Sequence, residues 1–568
     1  MAQPVSRLLF QVLRRNLPTS AVYLLVSIMD ALTGMLIPAT LAVVVDAALG
    51  QMSSAAPLVL MGVMLALATV TEAMRELLGV RTSTKATAGL RHRLAYHLVR
   101  LDGRGRTRFT TGDLLTRLLE GAAETARLVP VAVSALVTML TSMGGIIALF
   151  LIDPAVGLVF VVGAPMVWLL AKNFLRRSTE LTMDYQRAQG KLASRLVNAL
   201  SGIRTIRAAG TTNQEISRVL VPLSELHAHG LRFWLAQRDM GWQLSLMAPV
   251  IQVSALAMAG YDVSVGSVSP GGLLAVSGYL GFAMGVFRQA AMLAQFGRVR
   301  GAAQRLHEVL QEPVTSAGAA RFPQDGGGAI TVRGVRVVEE GRPVLDSIDL
   351  DIPAGSVVAL VGDSGAGKSA LASVVGGLRA PDQGRVLIDG VDLADADSTE
   401  VRRIVAYAFD RPALLGDTVR DAVGYGDLPV TPTAIKSALR DSDSGAFVAR
   451  LPERELTPVR ELRLSGGELQ RLGLARAFCR DAKVLILDDA LSSLDTATEV
   501  RITQALDRHR GTRLIITHRM STAARADHVV WLRNGQVAVT GTHRKLLALP
   551  GYRAMFGQQA DDTLAVTM

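Results

Sequence analysis

The chain has 568 residues, of which 49% are hydrophobic and 19% charged, with a formal net charge of +11 and a mean hydropathy of +0.32. A soluble chain carries about 25% charged residues, so a wholly soluble protein is excluded, as are collagen-like, disordered and small disulfide-rich classes. The single cysteine, Cys479, excludes an intrachain disulfide and a cysteine-built metal cluster.

In chain order, Arg7, Arg14 and Arg15 precede a long apolar stretch with no small-residue cleavage site. This pattern predicts a cytoplasmic N-terminus leading into a membrane helix rather than a cleaved signal. A span needs about 20 apolar residues. Six candidates follow at 20–44, 57–79, 128–152, 154–176, 243–261 and 270–295. Only Asp153-Pro154 separates the third from the fourth, a tight turn in which Pro opens the next helix. Residues 75–127 and 172–238 carry eleven Lys and Arg each, whereas the gaps near 46–56, 153 and 261–269 carry none. That asymmetry places the two long connections and both termini in the cytoplasm. It makes the membrane surface, not nucleic acid, the destination of the charge. Helical periodicity continues through both connections, so the membrane helices should run on into the cytoplasm. Thr111-Gly112-Asp113-Leu114-Leu115 should break the first connection as a short helix. Asp30 lies inside the first span, either lining a path or anchoring a neighbouring helix. Glu72, Arg75 and Glu76 sit near the cytoplasmic end of the second, where helical pairing suffices.

From about residue 325 the composition becomes that of an ordinary soluble α/β protein. Residues 330–352 read as an antiparallel strand region. Val357 to Val361 is an apolar strand, and Gly362-Asp363-Ser364-Gly365-Ala366-Gly367-Lys368-Ser369 follows it and opens a helix. That context suits a phosphate-binding loop: glycines let backbone N–H groups wrap phosphates, Lys368 reaches the β/γ-phosphates and Ser369 ligates Mg2+. A helical lobe is expected over 412–480. Within it Leu464-Ser465-Gly466-Gly467-Glu468 opens a helix bearing Gln470, Arg471 and Arg476, a second anion site that points to a face-to-face pair of such domains. Val484 to Asp489 reads as a buried strand ending in two carboxylates, with Asp488 on the metal side and Asp489 either a general base or a helix cap. Leu514 to His518 is a strand ending in an imidazole able to donate to a γ-phosphate. Strands 356–361, 404–408, 484–488 and 513–517 should form the core sheet, with edge strands over 528–540. A last helix from Thr542 and a polar tail complete the chain.

These motifs together resemble the ATP-binding cassette (ABC) exporter half-transporters. The resemblance covers almost the whole chain. It implies an α-helical transmembrane domain of six spans (1–310), a linker (311–329) and an α/β P-loop ATPase domain with a helical signature subdomain (330–568). Residues 362–369 match the family's phosphate loop, 464–468 its signature, 484–489 its second nucleotide motif, Ser493-Leu494-Asp495 its D-loop and His518 its switch histidine. Thr111 to Leu114 and Ser201-Gly202-Ile203-Arg204-Thr205-Ile206 resemble its intracellular coupling segments. ATP and Mg2+ are the implied ligands, and ATP hydrolysis coupled to export is the implied activity. The implied partners are a second half-transporter chain, membrane lipid and an exported substrate that the motifs do not name.

Three departures accompany the resemblance. The residue after the metal-side Asp488 is Asp489 where the family usually has Glu, so the side chain is one methylene shorter. The loop that normally carries Gln reads Ala408-Phe409-Asp410-Arg411-Pro412, which puts Asp410 at the Gln position as a ligand for Mg2+ or its water. The upstream aromatic that usually stacks on adenine is replaced by Val337-Val338-Glu339-Glu340. A weakened carboxylate beside an intact signature is the pattern of one half of a heterodimer. A homodimer with two slow sites, or an ATP-binding regulatory subunit, are the alternatives.

Overall fold

The computed structural model describes residues 10–556 except 12–13, 15–16, 51–54, 102–107, 315–317, 340 and 428. Arg7, Arg15, Glu340 and the polar tail therefore lie outside the described residues. The chain divides into two compact units, Met1–Leu98 with Thr111–Gln311, and Val99–Thr110 with Glu312–Met568. The boundary differs in one respect from a cut at residue 310. Leu101 bridges Val314 and Arg108 pairs with Glu312, which ties the 99–110 segment to the second unit.

The first unit is helical. Its long helices are α1 (Leu17–Leu49), α2 (Ala56–Val99), α3 (Leu128–Ile152), α4 (Pro154–Ser201), α5 (Pro222–Val265), α6 (Pro270–Ala283) and α7 (Gln289–Leu310). The α3–α4 turn forms as the sequence predicts: Asp153 caps α4 by accepting from Ala155 N at 2.7 Å, and Pro154 occupies the first turn. Ser269 and Pro270 open α6 in the same way, Gly272 N donating to Ser269 Oγ at 3.0 Å. At 48 residues, α4 is about 72 Å long, more than twice a bilayer's hydrocarbon thickness of about 30 Å. It therefore continues well beyond any membrane, and α5 pairs with it.

Among the described residues, four helices are apolar enough by length and composition to cross a membrane, Leu17–Leu49, Ala56–Val99, Thr111–Ile152 and Pro270–Phe287; the apolar stretches Pro154–Leu170 and Pro249–Val265 are shorter. The expected count of six is thus not reached on those criteria. Leu149, Val156, Phe160, Val276 and Leu280 form the inner core, while Leu25, Leu32, Val63 and Leu151 face outward, exposed, as a lipid-facing surface requires. Asp30 accepts from Thr71 Oγ1 at 3.1 Å and pairs with Arg75 at 2.9 Å. Of its two readings, the interhelical anchor is the one that the contacts carry. The short helix at Thr111–Thr116 forms, and Asp113 pairs with Arg117 at 2.9 Å.

The second unit holds two sheets. One has strand order β2-β1-β4-β5, with β1 (Ile330–Glu339), β2 (Arg342–Ile352), β4 (Gln383–Ile388) and β5 (Val391–Asp392), all antiparallel. The other has order β10-β9-β3-β8-β7-β6, built from β3 (Val357–Val361), β6 (Val405–Ala408), β7 (Val484–Asp488), β8 (Thr512–Ile516), β9 (His528–Arg533) and β10 (Gln536–Gly541). The strands β3, β6, β7, β8 and β9 pair in parallel. Their near-continuous apolar runs are what burial on both faces demands. Of the expected edge strands only β10 is one, because β9 pairs with β3. Helix α8 (Lys368–Val375) follows β3, α9 (Gly466–Phe478) ends the helical lobe and α10 (Thr496–Leu506) follows β7. The register sets Leu360 and Asp488 both opposite Ile516. The C-terminal ends of β3, β7 and β8 therefore share one edge, where ligands bind in open α/β sheets.

Candidate functional site

The 362–369 loop lies at that edge, and its glycines are required by space. A Cβ on Gly362 would stand 2.2 Å from Leu532 O. Gly367 has φ +99, and a Cβ there would stand 2.8 Å from Val344 O and from Leu345 Cδ2. Asp363, Ser364 and Gly365 are exposed at the loop's crest, while Ala366 is buried beneath it. Lys368 is 6% exposed, and its ammonium donates to Gly362 O at 2.8 Å and Asp363 O at 2.9 Å. Burial lowers its pKa, and the Asp489, Asp363 and Asp488 carboxylates oppose that fall.

Ser369 Oγ donates to Asp488 Oδ1 at 2.9 Å, and Tyr407 donates its phenolic proton to Asp488 Oδ2 at 2.8 Å. Burial beside Asp488 pushes the Tyr407 phenol pKa up, so it stays a donor. Next along the chain, Asp489 takes the left-handed backbone conformation, φ +51, which Asp tolerates better than most residues. His518 Nε2 stands 3.5 Å from Asp489 Oδ2. Burial raises the Asp489 pKa; His518 and Lys368 pull it back, and Asp488 and Asp410 add to the rise.

A cavity of about 440 Å³ opens over these groups; its lining includes Ser364, Gly365, Gly367, Lys368, Ser369, Asp489 and His518, and further along Ser373, Val344, Glu339 and Arg379. Backbone N–H groups at a helix start, with an ammonium beside them, bind anions. No cluster of three or more His, Cys, Asp or Glu suited to a metal occurs among the described residues. The Ser369–Asp488 oxygen pair nevertheless fits Mg2+, which binds through one or two carboxylates together with phosphate and water oxygens.

Asp410, Asp495 and the signature residues 464–468 are not among the residues that line this cavity. Asp410 does not line the cavity. Gln470 Nε2 donates to its Oδ1 at 3.2 Å and to its carbonyl at 3.0 Å, and Ser492 Oγ donates to Oδ1 at 3.3 Å, so its carboxylate is engaged by α9 and the loop after β7 rather than by the Ser369–Asp488 pair. Asp495 caps α10, Oδ2 accepting from Thr498 N at 3.0 Å. The signature residues also lie away from the cavity. Ser465 and Glu468 form a reciprocal cap on α9, Glu468 Oε2 accepting from Ser465 N and Oγ at 2.9 Å. Arg471 and Phe447 are in cation–π contact, 4.9 Å to the ring centroid, and Leu464 packs on the helical lobe. Gly466 and Gly467 lie against Ser493.

Sequence reasoning missed Tyr407 and Arg379. Alternation along β6 was the available signal for Tyr407; nothing local marks Arg379. The helical role of Gln470 was visible only as a position on α9.

Residues 20–287 match the family model described as ABC transporter transmembrane region, and residues 345–492 match the ABC transporter model. The chain is 41% identical over 481 residues to "ABC transporter ATP-binding protein RamA" of Streptomyces coelicolor, covering 84% of this chain and 75% of that protein. It is 30% identical over 484 residues to an "ATP-dependent lipid A-core flippase" of Chromohalobacter salexigens, covering 83% and 82%. Among solved structures, a bacterial Atm1-family ABC exporter with ATP bound superposes with a TM-score of 0.77 over 97% of this chain and 99% of that one, at 24% identity, a likeness of fold.

Proposed function

This chain belongs to the ABC transporter family, an exporter half with a transmembrane region fused to an ATPase unit, and from that premise we propose that it is the half with the weakened base in a heterodimeric pump. One observation carries the reading. The phosphate loop, Ser369 and Asp489 line one cavity, with Asp488 bonded to Ser369 behind it, while the intact Ser465-capped signature is not part of that lining. Each chain thus offers two half-sites, and each is completed by a second chain.

The 362–369 N–H groups and the Lys368 ammonium hold a nucleoside triphosphate. Ser369 and Asp488 would hold Mg2+, which neutralises charge on the transferred phosphoryl group. Asp489 accepts the proton of the attacking water. Its side chain is one methylene shorter than Glu, and a misplacement near 1 Å costs about 10²-fold in rate. His518 orients Asp489 and donates toward the γ-phosphate. Ser465, Gly466 and Gly467 complete the partner's site, where the α9 N-terminus adds its positive end. Closure of the paired units shifts the membrane helices between inward- and outward-facing states, and hydrolysis reopens them. The arginine-rich 75–127 and 172–238 segments support a cytoplasmic nucleotide-binding unit.

ATPase turnover of the chain purified alone in lipid, with Lys368→Ala as control, tests this. The expected result is no Lys368-dependent turnover alone and restoration by a co-purified homologous half. In the pair, Asp489→Asn should change little and Ser465→Ala should collapse the rate. Robust Lys368-dependent hydrolysis by the chain alone would establish the homodimer instead.

A further inference from the structure

Asp489 and His518 both line the phosphate cavity, yet they come from different loops. Asp489 follows β7 and His518 follows β8. The imidazole is half-exposed and its Nε2 stands 3.5 Å from Asp489 Oδ2. That is longer than an ordinary hydrogen bond, so the separation depends on how the two loops are held. The residue that joins them is the next one along, Arg519.

Arg519 Nη1 pairs with Glu499 in the first turn of α10, and Nη2 donates to Ser492 O at 3.1 Å and to Leu494 O at 2.9 Å. Glu499 is 7% exposed and accepts a further bond from Thr522 Oγ1 at 3.1 Å. One guanidinium therefore bridges the loop after β8 to the segment between β7 and α10, and to α10 itself. Ser492 is bonded on both sides. Its N–H donates to Asp489 O at 3.1 Å while its carbonyl takes Arg519. The contacts close a ring: Asp489 to Ser492, Ser492 to Arg519, and through the peptide bond to His518, which faces Asp489 again. On the sheet side, Arg519 N donates to Thr517 Oγ1 at 3.0 Å, and Thr517 N donates to Leu360 O of β3 at 3.2 Å. The His518 backbone is thus held between the sheet and α10.

We propose that Arg519 is a positioning residue of this chain's ATP site, setting where His518 stands relative to the γ-phosphate. The proposal rests on the reading of residues 362–369 as the triphosphate loop and of His518 as the γ-phosphate donor. A planar fork reaches a carboxylate and two carbonyls at once, whereas an ammonium keeps the charge without that geometry. A site donor works only if its supporting bonds hold it within about 0.5 Å of its productive place. Loosening the ring is therefore felt where His518 acts, at the γ-phosphate, and not at the rest of the nucleotide, which the 362–369 loop holds.

The test is equilibrium binding of ATP and of ADP to the full chain in lipid with Mg2+. The proteins compared are the parent, His518→Ala, Arg519→Lys and the two changes combined. Arg519→Lys leaves Glu499 a cationic partner, so no lone carboxylate is buried. His518→Ala should weaken ATP by about tenfold, the weight of one hydrogen bond to a charged group, and move ADP by less than about twofold. Arg519→Lys should weaken ATP by about three- to tenfold and spare ADP in the same way. On the His518→Ala background it should add less than about twofold, because a residue that acts through another is not additive with it. Arg519→Gln combined with Glu499→Gln removes both charges and should give the same ATP-selective loss. An ATP/ADP affinity ratio unchanged in both Arg519 variants would overturn the proposal. So would a loss shared equally by ADP, which marks a purely structural pair, or full additivity with His518→Ala. A His518→Ala protein that keeps the parent's ratio would instead sink the γ-phosphate reading of His518, and the proposal with it.

Discussion

Gln470 joins two loops of the nucleotide-binding unit, that of Asp410 and that of Ser492-Ser493, to its own helix, and Gln470→Leu should loosen both. Its side chain on α9 is 3% exposed. The amide Nε2 donates to Asp410 O at 3.0 Å, Asp410 Oδ1 at 3.2 Å and Ser492 Oγ at 2.9 Å, and Oε1 accepts from Ser493 N at 2.9 Å. Leu occupies nearly the same volume, so no large cavity opens. It leaves the Asp410 carbonyl and the Ser493 N–H without this partner. Each such orphaned group costs about 1–3 kcal/mol. Asp410 lies in an exposed loop that water reaches, which keeps the sum near about 2–4 kcal/mol. At about 2–4 °C per kcal/mol for a unit of this size, the melting transition should fall by about 4–16 °C. Thermal unfolding of the full chain in lipid nanodiscs measures it, with the buried Trp531 as a fluorophore inside the unit. Nucleotide affinity should change little, because Gln470 does not line the cavity. A Gln470→Leu protein melting within about 1 °C of the parent, less than half a kcal/mol on the same scale, would refute the reasoning.

Tyr407→Phe removes the donor that fixes Asp488 Oδ2. Because partners of a metal ligand set its orientation, the Mg2+ concentration that half-saturates Mg2+-dependent ATP binding at this chain's own site should rise by about tenfold. Metal-free nucleotide binding should not move, and an unchanged Mg2+ dependence would sink the positioning role. Asp443 is held below the usual carboxylate range by Arg501, with Arg471 and Thr498 adding to it. A lowered folded pKa contributes stability that is present above the unfolded value of about 3.9 and is lost as pH falls through the folded value. Asp443→Asn should therefore lower stability at neutral pH and flatten its decline below about pH 4. Parallel acid-unfolding curves for the two proteins would count against the ion pair.

The sequence alone determined the division into an apolar helical half and an α/β half, because span length and strand burial are written as runs of residue type. It also marked the glycine-rich loop at 362–369, the carboxylates at the end of the 484–488 strand and the helix start at 464–468, because each depends on neighbours within a few positions. The Asp153-Pro154 turn belongs to the same class. What depends on distant segments was decided by the tertiary structure. Asp410 looked like a metal ligand by its place in the chain, yet the amide of Gln470, 60 residues on, takes its carboxylate. Asp30 was open between path and anchor until Thr71 and Arg75 closed on it. The pairing of β9 with β3 and the meeting of Glu339 with Arg379 also required the chain to fold back on itself. Short-range pattern fixes which groups exist and on which element they ride. Which groups touch is set by side chains that packing holds together against solvent and entropy, and no local window contains both partners.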